Sequence, residues 1–200
     1  SNFQLTLDLL GDIESKEEEQ ELLSSLRSIS NNLNRTITHL NEVVNIQNNV
    51  NDATEELQLE KVLQHVKGSI QHTLLKADAT IYSDFSEVPT VTYIPAYLES
   101  IFYNLITNSV KYQHPDRSPV IDIFTIEEDF DTYLIVKDNG LGIDLSTYGD
   151  RLFKMYQTFH HHEDGAGMGL FLLKNQVEAM KGSIEVESSV EVGTTFKIKL

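Results

Sequence analysis

The sequence predicts an α+β protein, a two-layer α/β sandwich with a mixed sheet packed on three helices. An α-helical hairpin forming a dimeric helical bundle precedes it. Three observations carry this expectation. Glu17 to Asn48 contains no glycine or proline and repeats its apolar residues at helical spacing. From about residue 55 onward, β-branched and aromatic runs interleave with three amphipathic helices. A hydrophobic content of 40% over 200 residues suffices for one large domain or two small ones. The expected division is residues 1–52 for the helical hairpin and 55–200 for the sandwich.

The first helix stripe runs through Leu22, Leu26, Ile29, Leu33, Ile37, Leu40 and Val44. A helix of about 30 residues is ~45 Å long, and one narrow stripe needs partner helices to stabilise it in water. A shorter apolar stretch, Phe3 to Leu10, ends at Gly11-Asp12, and Ser15-Lys16-Glu17-Glu18 supplies a cap and an acidic first turn. In the second part, Leu57 to Glu60 reads as an edge strand and Lys61 to Leu75 as a helix. Strands follow at Ala79 to Ser83 and Thr90 to Tyr93. Pro95 opens a helix over Ala96 to Tyr112. Val120 to Ile126 and Thr132 to Lys137 form a hairpin with Glu127-Glu128-Asp129 as its turn. A helix over Gly169 to Met180 leads to closing strands at Ser183 to Glu187 and Thr194 to Leu200.

Charge and composition exclude several classes. A formal net charge of −16 repels a nucleic-acid backbone and an anionic membrane surface. With no cysteine there is no disulfide, thiolate nucleophile or cysteine–zinc site. No apolar run approaches the ~20 residues of a membrane span, and no signal-peptide pattern opens the chain. The expectation is a cytoplasmic protein, or the cytoplasmic portion of a membrane-anchored one.

The chemistry concentrates in three places. Asn104, Asn108 and Lys111 are spaced by four and three, so two amides and an ammonium share one helix stripe. It lies at the edge of the core-facing side formed by Leu98, Ile101, Phe102 and Leu105. Amide oxygens suit Mg²⁺, and a lysine one turn on suits phosphate. In isolation the stripe equally describes a solvated polar face. Asp138-Asn139-Gly140-Leu141-Gly142 follows a buried-type strand. An ionised carboxylate only accepts hydrogen bonds, so Asp138 is fit to receive an exocyclic amine, although Asp-Asn-Gly is also a common turn. Gly165-Ala166-Gly167-Met168-Gly169-Leu170 opens a helix, where free amides and the helix dipole attract phosphate. Its glycine spacing departs from the dinucleotide pattern, and no P-loop sequence occurs.

In this order and spacing the segments resemble the catalytic domain of two-component sensor histidine kinases. Asn104 to Tyr112 matches the family's asparagine block and Asp138 to Gly142 its first glycine block. Leu152-Phe153 matches the phenylalanine block, Gly165 to Leu170 the second glycine block, and Gly193-Thr194-Thr195-Phe196 the closing one. The resemblance covers Leu57 to Leu200, and the hairpin before it is similar to the family's dimerisation and phosphotransfer helices.

The resemblance implies ATP and Mg²⁺ as cofactors and transfer of the γ-phosphoryl group to a histidine. It implies that Asn108 ligates Mg²⁺ and that Asn104 positions metal and phosphates. Lys111 would contact phosphate, Tyr112 would lie against the nucleotide, and Asp138 would select adenine. Gly140, Gly142 and Ile143 would shape that pocket, while Gly165, Gly167, Met168, Gly169 and Leu170 would line the triphosphate path, with Thr195 completing the set. Gln157 to Ala166 resembles the ATP lid. The implied partners are a second copy of the chain, through the hairpin, and the receiver domain of a response regulator.

Three departures qualify the match. The acceptor motif His-(Glu/Asp)-x-Arg-x-Pro is absent. None of His39, His65, His72, His114, His160, His161 and His162 has the required following residues. The expectation is a fragment that binds ATP without phosphorylating itself at the family site. Thr158 stands where many members carry arginine, leaving Lys154 or a lid histidine to supply charge. Ser109 replaces the usual alanine, a small-for-small exchange expected to be neutral. Consecutive His160-His161-His162 side chains diverge, so the trio reads as lid residues rather than a metal site.

Related sandwiches serve anti-sigma-factor serine kinases, and hydrolytic members place a glutamate where Asn104 stands. An amide is no general base, which favours transfer over hydrolysis. A degenerate, non-catalytic scaffold that dimerises and binds a partner, or a serine kinase of the anti-sigma-factor type, stays open as the alternative.

Overall fold

Strict alternation over Val120–Glu128 sends Ile121, Ile123 and Thr125 to one face, where all three are buried. This strand is an interior strand of a five-stranded sheet in the computed structural model. The structure describes residues 54–154 and 168–200, together with Leu23, Leu26 and Ser30. The chain divides into two compact units, Ser1–Val44 and Asn45–Leu200. In the first, the described Leu23, Leu26 and Ser30 are helical. The expected hairpin and its boundary at residue 52 otherwise lie outside the described residues.

In the second unit, β1 (Glu55–Gln58) pairs antiparallel with β3 (Thr90–Tyr93) as a separate two-stranded ladder. The main sheet has the order β2-β4-β5-β7-β6, from β2 (Thr80–Asp84), β4 (Val120–Glu128), β5 (Asp131–Asp138), β7 (Gly193–Lys199) and β6 (Ile184–Ser189). Only β2 and β4 run parallel in it, so the sheet is mixed. Its inner face adds Leu134, Val136, Phe196 and Ile198 to the β4 residues.

Three helices carry the facing core: α1 (Leu59–Ser69), α3 (Pro95–Lys111) and α5 (Gly169–Ala179). Leu63, Leu98, Ile101, Phe102, Ile106 and Leu173 are fully buried there. Each such side chain contributes about 1.5–3 kcal/mol relative to leaving it in water. Phe85 packs edge-on against Phe102 with ring centroids 6.3 Å apart. The short helices α2 (Gln71–Lys76) and α4 (Leu145–Tyr148) bury nothing. No described helix is long and apolar enough to cross a membrane.

Beyond small shifts at element ends, three boundaries differ from the expectation. The edge strand predicted over Leu57 to Glu60 lies at Glu55–Gln58, and Leu59 and Glu60 open α1, where the Leu59 side chain is fully buried. The helix predicted over Lys61 to Leu75 breaks at Ile70, whose φ of −112° and ψ of 16° leave the helical region. Ile70 is buried, so packing of its side chain overrides local helix propensity. The β4–β5 turn sits at Asp129-Phe130 rather than Glu127 to Asp129, with φ of 53° and 70° at the two residues. Both lie in the left-handed region that suits a tight hairpin. Glu128 and Asp131 flank that turn and pair with Lys197 and Lys199 of β7. These two pairs tie the ends of the hairpin to β7.

Candidate nucleotide site

Pro95 fills a first-turn position of α3, where its missing N–H costs no bond. The helix then presents Asn104, Asn108 and Lys111, all half-buried, beside its apolar face. The Asn104 amide nitrogen donates to the Ser100 carbonyl (2.9 Å) and hydroxyl (3.2 Å). That bond turns its Oδ1 toward Gly169, where a Cβ would stand 2.6 Å from the oxygen. The stripe on α3 thus meets the N-terminus of α5, where Met168 precedes the first turn and is buried. Lys111 lies over the Tyr112 ring, 4.9 Å from its centroid. Leu170 is half-buried in the first turn of α5.

Asp138 ends β5 and is pinned at one oxygen. Its Oδ1 accepts from the Gly140 amide (2.8 Å) and from the Thr194 amide (3.1 Å). Its Oδ2 lies 3.3 Å from the Ser109 hydroxyl, which also reaches the Leu105 carbonyl at 3.0 Å. Burial pushes the Asp138 carboxyl above the ordinary carboxylate range, opposed by the hydrogen bonds from Gly140, Thr194 and Ser109.

The glycines of the turn serve the protein's own backbone. A Cβ on Gly140 would stand 2.6 Å from the Tyr112 carbonyl at the end of α3. Gly142 has a φ of 68°, and a Cβ there would strike the Ser189 carbonyl. Leu141 bonds both neighbours, its amide to the Tyr112 carbonyl (2.9 Å) and its carbonyl to the Glu191 amide (2.7 Å). Asn139 extends the strand ladder sideways, accepting from the Val120 amide at 2.9 Å and donating to the Ser118 carbonyl at 3.1 Å. The Asp-Asn-Gly segment is therefore a junction between the end of α3, β4 and the β6–β7 turn.

Some of these groups were invisible in the sequence. Thr194, buried, supplies an amide to Asp138, and its hydroxyl lies 2.9 Å from that of Ser188. Ser188 in turn accepts from the Ile143 amide at 2.8 Å. Thr195 occupies the opposite face of β7, paired with Lys137, so its side chain points away from the one that Thr194 presents. Arg117 donates to the carbonyls of Asn139, Gly140, Glu191 and Val192 and clamps the two turns together. His114 meets Glu191 at 2.7 Å beside it. Ser109, expected to be a neutral exchange, brings a hydroxyl to Asp138. Leu152 is buried, Phe153 lies under the Lys174 ammonium at 5.5 Å, and Lys154 is exposed. Gly165, Gly167, Thr158 and the His160–His162 trio fall outside the described residues.

A carboxylate pinned at one oxygen, a glycine turn beside it and an amide-bearing helix at another helix's N-terminus define a nucleotide-binding sandwich. Residues 94–200 match the family described as histidine kinase-, DNA gyrase B-, and HSP90-like ATPase, and the chain belongs to that family. Cyanobacterial phytochrome A of Nostoc sp. is 33% identical over 141 residues, covering 70% of this chain and 18% of that protein. The sensor protein SrrB of Staphylococcus aureus is 28% identical over 194 residues, 95% of this chain and 33% of its own. The chain therefore spans well under half the length of these curated relatives. The histidine kinase AdeS of Acinetobacter baumannii shares the fold, with a TM-score of 0.72 at 20% identity over 99% of this chain and 92% of that one. Membership in a family of ATPases implies that the chain binds ATP.

Proposed function

We propose that the chain is the MgATP-binding part of a sensor histidine kinase that transfers the γ-phosphoryl group of ATP to a histidine, for relay to a response-regulator aspartate. The observation that carries this reading is Asp138. Two backbone amides saturate its Oδ1, and its Oδ2 keeps lone pairs for an exocyclic amine. Adenine offers such a donor, whereas a 6-oxo purine presents an acceptor that an ionised carboxylate repels.

From the base, the phosphates run toward α3 and the N-terminus of α5. Lys111 stands as a point charge for them, and the first amides of α5, beginning at Gly169, meet negative charge at the positive end of a helix dipole. Gly165 and Gly167 complete that path in this reading, with Met168 and Leu170 beside it. Tyr112 flanks the base and Ile143 closes the pocket edge. The donor set fits Mg²⁺: Asn104 has its nitrogen held by Ser100, leaving amide oxygen as the hard ligand, and Asn108 offers a second one a turn away. The ion would supply charge neutralisation of the β- and γ-phosphates. Asn104, Asn108 and Lys111 orient the phosphates and balance charge on the transferring group, while Asp138 and Tyr112 fix the base. With an amide in place of a glutamate, Asn104 offers no general base to activate water at that position, which supports transfer over hydrolysis.

The hairpin is read as the dimerisation and phosphotransfer region, with a second copy and a receiver domain as partners, in the cytoplasm where ATP is available. The reading is tested by calorimetric titration of the chain with MgATP, beside Asp138→Asn. Binding that disappears in the variant supports it, because the new amide presents a donor to the adenine amine. Absence of binding to the unaltered chain at saturating nucleotide overturns it in favour of a non-catalytic scaffold.

A further inference from the structure

We infer that Ser109 is a positioning residue for base selection, its hydroxyl holding Oδ2 of Asp138 in the orientation that accepts the amine of adenine. The inference rests on the ATP reading above and deepens it. Ser109 is 5% exposed and lies on the face of α3 that meets the end of β5. Its Oγ is 3.3 Å from Asp138 Oδ2 and 3.0 Å from the Leu105 carbonyl, so one proton is shared between two acceptors. Oδ1 is already fixed by the Gly140 and Thr194 amides. The remaining freedom of the carboxylate is rotation about its terminal torsion, which is soft in aspartate. A donor at Oδ2 restricts that rotation.

The hydroxyl also bears on which base is accepted. A donor aimed at Oδ2 stabilises the ionised carboxylate against the burial that opposes it. A protonated Asp138 would become a donor and would tolerate an oxo group where adenine has its amine. Ser109 therefore acts through Asp138 on the distinction between amino and oxo purines. Alanine at this position would leave the triphosphate contacts of Asn104, Asn108 and Lys111 in place and would remove only the donor at Oδ2.

The test is a cycle of two nucleotides and three proteins, read by calorimetry. ATP and purine riboside triphosphate, which lacks the amine, are titrated with Mg²⁺ into the wild-type chain, Ser109→Ala and Ser109→Thr. The expected result is an about three- to tenfold weaker ATP affinity in Ser109→Ala, with purine riboside triphosphate binding as it does to wild type. Ser109→Thr, which keeps the hydroxyl, should retain the preference for ATP. An equal loss for both nucleotides in Ser109→Ala would indicate a purely structural role and overturn the inference. A wild-type preference for ATP that survives intact in Ser109→Ala overturns the inference alone. Equal wild-type affinity for both nucleotides would instead sink the base-reading role of Asp138, and the inference with it.

Discussion

Asp138 sits at odds with the stability of the protein that carries it. Its carboxyl is pushed up by burial, so ionisation costs the fold something as pH rises from the ordinary value of about 3.9 through the raised one. Above that window the cost is fully present. Asparagine escapes it, since its oxygen can still accept from Gly140 and Thr194 while its nitrogen donates to Ser109. Asp138→Asn should therefore melt at a higher temperature than wild type at neutral pH without nucleotide, measured by scanning calorimetry. In wild type, ATP affinity should fall on acidification through the same window, because a protonated Asp138 no longer accepts on both oxygens. A lower melting temperature for the variant would show that the hydrogen bonds outweigh burial. Asp138, Asn104, Asn108 and Lys111 were legible in the sequence because residue type and local spacing carry their chemistry. Ser109, Thr194 and Arg117 were not. Their contacts with Asp138 or its loop cross 29, 56 and 22 residues of sequence, and a hydroxyl or guanidinium gives no local sign of which distant carbonyl or carboxylate it will meet.

Elements meet through glycines, and the structure separates two kinds. At Gly142 an added methyl would strike backbone at a φ of 68°, so neither neighbour can yield cheaply. Gly142→Ala should lower the melting temperature by several degrees, from a destabilisation exceeding about 1 kcal/mol. At Gly169 the obstacle is the end of a side chain, Asn104 Oδ1 at 2.6 Å. Alanine raises helix propensity by up to about 1 kcal/mol, so Gly169→Ala should leave stability unchanged or higher. The displaced Asn104 should instead weaken MgATP binding by on the order of tenfold or more. Thermal melts and titrations on the two variants separate these outcomes, and a destabilised Gly169→Ala would contradict the side-chain account. Periodicity located every strand and core helix described between Glu55 and Lys199. It missed the break at Ile70, which tertiary burial imposes, and the turn at Asp129-Phe130, where two non-glycine residues take up left-handed conformations that their identities do not announce.

Every described residue of the site, from Asn104 to Thr194, falls within the unit Asn45–Leu200, and none within Ser1–Val44. A ligand that binds only the folded form of one unit stabilises that unit by mass action, by about 2.7 kcal/mol at a hundredfold excess over Kd. For a unit of this size that amounts to roughly 5–10 °C. MgATP should therefore raise the melting transition of the unit Asn45–Leu200, measured by scanning calorimetry. Asp138→Asn should abolish the shift, which ties it to the base pocket rather than to bulk screening of the net charge of −16 by added salt. A magnesium chloride control at matched ionic strength removes the same ambiguity.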